Sequence, residues 1–280
     1  MSALTGELFG PVQAAEWIAV PRPDDDKYSR GVLGFVTGSS RYPGAAVLGV
    51  EAALHTGVGM VRYLGSGRPT RLVLQRRPEA VTSDGRVQAW VLGSGQDAAD
   101  RDDNVRALLD AALAQRVPTI LDGGALDLHS RLAAPGVVTP HAGELAALLG
   151  VPRDQITAEP ARWATQAAAT LRCTVLLKGH TTHVASPSGA ALRVRNAPSW
   201  LATAGAGDAL AGILGALVAT HHERVADDPD ALVPLAATAA VVHGLAAERA
   251  SDGGPFTILG LCAMLPSVVA QLVRGGGIGA

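Results

Sequence analysis

Apolar residues fall along this 280-residue chain in two alternating regimes. Short apolar runs rich in β-branched residues predict strands at 32–37 (VLGFVT), 58–64, 90–92, 118–121 and 137–138. Between them, Ala- and Leu-rich stretches predict helices at 44–56 (GAAVLGVEAALHT), at 101–115, from the Thr139-Pro140 turn to Leu149, and at 161–171. Three closely spaced strands follow at 174–177, 182–185 and 191–195. Two or three Ala-rich helices then run from Gly205 to Val273. Alternation of this kind implies parallel strands joined by helical crossovers and covered on both faces. The late strands imply a small antiparallel addition at the sheet edge. The expected fold is a three-layer α/β/α sandwich, one domain over 1–280, with 1–27 as an N-terminal extension and 274–280 as a flexible tail. Ligands in such sheets gather at the carboxyl ends of strands, where the glycines, threonines and prolines of this chain accumulate.

Composition narrows the function classes. The chain is 48% hydrophobic and 17% charged with a formal net charge of -2, which excludes disorder and argues against a dedicated nucleic-acid binder. Residues 253–273 carry no charge and just reach membrane-spanning length, but Pro255, Pro266, Gln271 and three glycines interrupt them. A buried helix is expected there, and no membrane partner. The N-terminus has no basic segment ahead of an apolar one and carries Glu7 and Glu16, unlike a secretory signal. Cys173 and Cys262 match no metal or redox spacing and fit a reducing, cytoplasmic setting. Only Lys27 and Lys178 are lysines, against 21 arginines, so a lysine placed in a motif carries weight.

Several chemistries lose support by motif. The chain holds no G-x-x-x-x-G-K-[ST], G-x-G-x-x-G, G-x-S-x-G or H-E-x-x-H pattern. His180 and His183 are expected in a solvated hairpin rather than on a metal. The strongest local signal is the run from Leu201 to Gly212 (LATAGAGDALAG), a small-residue loop entering a helix. Small side chains let backbone approach a ligand, and the first helical turn offers free N–H groups and the positive end of the dipole. The Gly205, Ala206 and Gly207 amides would form an anion hole for phosphate. Asp208 would accept a proton from a substrate hydroxyl; the competing reading is that it caps the helix. Lys178, at a strand end before Gly179, would set an ammonium against the same phosphate. In TPHAGE (139–144), Thr139 is expected as N-cap with Pro140 at the first helical position, leaving His141 and Glu144 unexplained by capping. The loops at 38–46 (GSSRYPGAA) and Gly93-Ser94-Gly95 complete four glycine-bearing strand ends.

Taken in order, YPGAA after a GSS loop, TPHAGE, LLKGHTT and AGAGDALAGILGAL resemble the ADP/ATP-dependent NAD(P)H-hydrate dehydratases of the ribokinase-like superfamily, over about residues 28–272. The GxGD loop is shared with many small-molecule kinases of that superfamily; TPHxGE and YPGAA are much more specific. The resemblance implies repair of NADHX and NADPHX, the C6-hydrated cofactors, in their S form. Nucleotide hydrolysis would drive the dehydration, ADP giving AMP, by phosphorylation of the hydroxyl and elimination of phosphate. It implies Asp208 as base and Ala45, Ala46, Gly95 and His141 lining the hydrate pocket with it. Lys178, Gly179, His180, Thr181, Thr182 and Gly207 would hold ADP or ATP. Mg²⁺ would ride on the nucleotide phosphates without direct side-chain ligands. A homo-oligomer, by resemblance a tetramer, is implied, as is an NAD(P)HX epimerase on a separate protein, since no room for one precedes Tyr28.

The chain departs from the family where Asp-Ala-Asp-Ala-Leu is usual: it reads Asp122-Gly123-Gly124-Ala125-Leu126 and lacks the second acid. Ala204 replaces a common Gly, and Ala206 a Ser or Thr. Two other readings share the anion hole: a kinase acting on a vitamin-precursor alcohol, and a nucleotide-binding regulator that has lost catalysis.

Overall fold

The computed structural model describes residues 6–276. Nine strands form one sheet: β1 (Glu7–Leu8), β2 (Val32–Val36), β3 (Met60–Tyr63), β4 (Ala89–Leu92), β5 (Thr119–Leu121), β6 (Gly136–Val138), β7 (Thr174–Leu177), β8 (Thr182–Ala185) and β9 (Ala191–Val194). Their spatial order is β1-β9-β8-β7-β6-β5-β4-β2-β3. Strands β2 to β7 are mutually parallel, while β8 runs antiparallel to both its neighbours. The expected mostly parallel sheet with a small antiparallel part is what the chain builds. Every residue of β2, β4, β5, β6 and β7 is buried, because helices cover both faces.

Eleven α-helices lie among the described residues. One face carries α1 (Pro11–Ala15), α2 (Gly44–Thr56), α8 (Ala206–Thr220), α10 (Leu232–Ser251) and α11 (Ile258–Gly276), which share a single apolar core with the sheet. The other face carries α4 (Asp103–Ala114), α5 (Ala142–Leu149), α6 (Arg153–Ala158) and α7 (Pro160–Leu171) around Trp90, Leu92, Leu109 and Leu145. Helix α3 (Gly67–Arg76) flanks α2, and α9 (His222–Asp227) follows α8.

Some expectations change. The N-terminal extension contributes β1, which pairs in parallel with β9, and α1, which packs on α10 and α11. Helix α11 runs through Gly276, so residues 274–276 of the expected flexible tail are helical; residues 277–280 and 1–5 lie outside the described residues. Helices α10 and α11 are both long and apolar enough to cross a membrane. Helix α10 is a core helix. Helix α11, expected to be buried, encloses only one stripe (Ile258, Leu261, Cys262, Leu265, Val268 and Leu272) and leaves its outer face open. Its apolar residues recur at helical spacing, so one side suffices for packing.

Candidate functional site

Parallel strands deliver their carboxyl ends to one edge. The segments after β4, β5, β6 and β7 therefore carry Ser94, Asp122, Thr139 and Lys178 side by side. Helix α8 begins at the same edge, and together these elements border a cavity of about 940 Å³. Its lining includes Asp122, His141, Glu144, Lys178, Asp208 and the 203–207 loop.

Gly205 is the N-cap of α8, with φ of 91°, a conformation that excludes most side chains. A Cβ there would also sit 2.5 Å from Leu48 Cδ1. The loop thus turns tightly under the helix start, where the Ala206 amide donates to Thr203 O at 3.4 Å, and it brings Gly205, Ala206 and Gly207 to the cavity wall. Asp208 is the third helical residue, half-buried, so capping does not account for it. Burial pushes its carboxyl up to about 7, the negative charge of Asp122 adds to that, and Lys178 opposes it.

Lys178 Nζ lies 2.8 Å from Asp122 Oδ1 and 3.8 Å from Glu144 Oε2. It also lies 3.4 Å from where a Cβ on Gly207 would stand, which sets the ammonium at the mouth of the anion loop. Burial disfavours its charge, but Asp122 and Glu144 outweigh that and hold its pKa above the ordinary value. Asp122 is 4% exposed. Burial would raise its pKa, yet Lys178, Thr139 and Ser94 together hold it below the usual carboxylate value.

The TPHAGE segment corrects one expectation. Thr139 is not the N-cap and Pro140 is not in the helix. The chain stays extended through His141, with Thr139 N–H bonding to Leu121 O and Lys178 N–H to Pro140 O. His141 is the N-cap: its Nδ1 accepts from the Gly143 and Glu144 amides, and Glu144 Oε2 accepts from His141 N–H at 2.7 Å. This reciprocal capping box explains both residues that capping had left over. Thr139 instead donates to Asp122 Oδ1 at 2.7 Å.

The structure brings most predicted residues together. Gly95, His141, Lys178, Gly179, His180, Thr182, Gly205, Ala206, Gly207 and Asp208 all border the cavity. Thr181, Ala45 and Ala46 do not. Ala45 packs directly behind Gly95, where an added Cβ would stand 2.3 Å from its own, and Ala46 is fully enclosed. Sequence reasoning gave no role to Asp122, Ser94 or His243. His243 on α10 is 6% exposed, borders the cavity, and is pushed down to about 4 by burial, so its imidazole is neutral.

Among the described residues no group of three or more His, Cys, Asp or Glu side chains is placed to hold a metal. The chemistry of the donors nevertheless fits Mg²⁺ brought in on a nucleotide. The cavity presents oxygen donors, and Asp122, Glu144 and Asp208 leave it short of positive charge for a phosphate chain.

Residues 33–259 match the family NAD(P)H-hydrate dehydratase. The chain is 44% identical over 219 residues to the bifunctional NAD(P)H-hydrate repair enzyme of Mycobacterium tuberculosis, covering 74% of this chain and 44% of that protein. The chain thus spans less than half the length of that relative. It is 34% identical over 241 residues to the ADP-dependent (S)-NAD(P)H-hydrate dehydratase of Xanthomonas campestris, covering 77% and 82%. Its fold superposes on the ADP/ATP-dependent NAD(P)H-hydrate dehydratase of Bacillus subtilis, co-crystallized with ATP/Mg²⁺, with a TM-score of 0.84. That match has 26% identity and covers 96% of this chain and all of the other.

Proposed function

Because the chain belongs to the NAD(P)H-hydrate dehydratase family, we propose that it restores NAD(P)H from the S form of NADHX or NADPHX at the expense of ADP or ATP. The observation that carries this reading is Asp208: a half-buried carboxyl poised near 7, on the first turn of a helix whose first residues border the cavity. A base whose pKa matches the working pH takes a proton well while remaining substantially ionised.

The chain's own groups would act as follows. The Gly205–Gly207 amides and the Lys178 ammonium bind the oxygens of the phosphoryl group to be transferred and stabilise its charge. Asp208 takes the proton of the C6 hydroxyl as the oxygen bonds to phosphorus and the nucleotide leaves. Phosphate then departs from C6, and loss of a proton from the neighbouring carbon restores the ring double bond. Gly179 and His180, on the turn between β7 and β8, and Thr182, at the start of β8, would hold the nucleotide, and His141 and Gly95 would border the hydrate. Mg²⁺ on the nucleotide phosphates would offset their negative charge beside the carboxylates. The two buried, unpaired cysteines agree with a cytoplasmic setting.

Purified protein is incubated with NADHX, Mg²⁺ and either ADP or ATP, and absorbance of the restored dihydronicotinamide is followed. Nucleotide-dependent recovery is expected. Intact protein that gives none with either nucleotide sinks the reading, and a stable phosphorylated alcohol as product would make the protein a kinase.

A further inference from the structure

The Asp122 carboxylate is engaged on both oxygens by neighbours from three other strand ends. Oδ1 accepts from Thr139 Oγ1 at 2.7 Å and from Lys178 Nζ at 2.8 Å; Oδ2 accepts from Ser94 Oγ at 2.9 Å. A carboxylate held this way cannot rotate. Lys178 is a compact charge on a flexible four-carbon stem, and its backbone is pinned separately by the bond from its N–H to Pro140 O. Lys178 is also the one Lys or Arg bordering the cavity among the described residues. The position of the permanent positive charge in the site therefore depends on Asp122.

We propose that Asp122 is a positioning residue: it fixes the Lys178 ammonium over Gly207, and through it the seat of the phosphoryl group. This rests on the nucleotide-binding part of the reading above. Without the anchor, Lys178 is free to turn toward Glu144 or Asp208, and misplacement of a catalytic charge by about 1 Å is worth roughly 100-fold in rate.

The test uses Asp122→Asn, with ADP affinity measured by calorimetry in the absence of NADHX. Turnover is followed separately against pH. ADP affinity is expected to fall roughly 10–100-fold, the worth of a hydrogen bond to a charged group. In a Lys178→Met background the same change should cause no further loss of affinity, since both act through one contact. The acid limb of turnover should move to lower pH. Asp208 shares the cavity with Lys178 after β7, Asp122 after β5, Glu144 on α5 and the neutral His243 on α10, and only the Asp122 charge is removed. A role confined to holding the strand ends together would lower Tm and leave that limb in place. Folded Asp122→Asn protein that binds ADP within about two-fold of wild type overturns the proposal. If that variant does not fold, Ser94→Ala and Thr139→Val each remove one bond from the carboxylate. Each should weaken ADP binding by roughly 2–10-fold, and wild-type affinity in both overturns the proposal. A protein that binds ADP through Asp122 yet fails to restore NADHX keeps this proposal and loses the dehydratase reading.

Discussion

Gly212 of α8 lies so close to Gly49 of α2 that a Cβ on it would stand 2.2 Å from the Gly49 carbonyl oxygen. The Cβ of a residue at 49 would in turn lie 3.5 Å from the Asp208 carbonyl oxygen, so the same crossing sets the height of the turn that carries Asp208. Gly212→Ala should therefore push the helices apart. A loss of about 1–3 kcal/mol is expected from forcing a methyl into a filled contact, read by urea unfolding. Turnover should fall along with stability, because Asp208 moves with its helix. A variant as stable as wild type would show that the crossing has slack.

As the proposed base, Asp208 should set the pH dependence of the reaction. It must be ionised to accept a proton, so turnover should rise with pH through an acid limb near 7, the value to which burial and Asp122 push it. The same shift acts on stability with the opposite sense. A carboxyl whose folded pKa is raised contributes stability fully below its ordinary 3.8, and that contribution is lost as pH rises to about 7. Asp208→Asn should thus abolish turnover, retain ADP binding, and be more stable than wild type at pH 8. Near-normal turnover in this variant would remove Asp208 from the chemistry.

Glu51 on α2 is fully enclosed, and it accepts bonds from Arg76 Nη2 at 2.9 Å, from Arg77 Nη2 at 2.7 Å and from Arg77 Nε. Burial would raise its pKa, but the two guanidiniums outweigh that and hold it below the ordinary value. A carboxylate with a depressed folded pKa contributes stability above its unfolded pKa and loses it as pH falls through the folded one. Glu51→Gln removes the enclosed counter-charge and leaves Arg77 only the exposed Glu79, 3.5 Å from its Nη1, which should lower stability by about 3 kcal/mol at neutral pH. The difference from wild type should shrink in acid, and a constant difference from pH 7 to pH 3 in denaturant titrations would contradict this.

The helix at Gly44–Thr56 and the buried strands were legible because apolar runs of the right length leave few alternatives. Helix α3 was not: it opens on Gly67-Arg68-Pro69, carries three arginines and buries only Pro69 and Val73, so its composition does not resemble the Ala- and Leu-rich helices elsewhere in the chain. Nor was β1, a two-residue strand that exists only because β9 offers it an edge. At the site, Gly205 to Asp208 and Lys178 could be found because loop composition is local. The surroundings of Asp122 could not, because its partners stand 28, 17 and 56 residues away and meet only when four strands align. His141 was misplaced for a different reason. Thr139-Pro140 imitates a helix start, and imidazole is not among the usual N-cap side chains.

That imidazole cap yields the last prediction. His141 Nδ1 satisfies two free amides of α5, and Glu144, oriented by the same box, sits 3.8 Å from the Lys178 ammonium. His141→Ala should lower stability by about 1 kcal/mol through loss of the cap and release Glu144 from its fixed position. His141→Asn, which keeps a capping oxygen, should recover most of that stability. If His141 serves only as a cap, the Asn variant regains turnover as well. If the ring also contacts the hydrate, the Asn variant is stable but its KM for NADHX stays raised while ADP affinity is normal. Urea unfolding of both variants, combined with the KM for each substrate, separates the two roles on one residue.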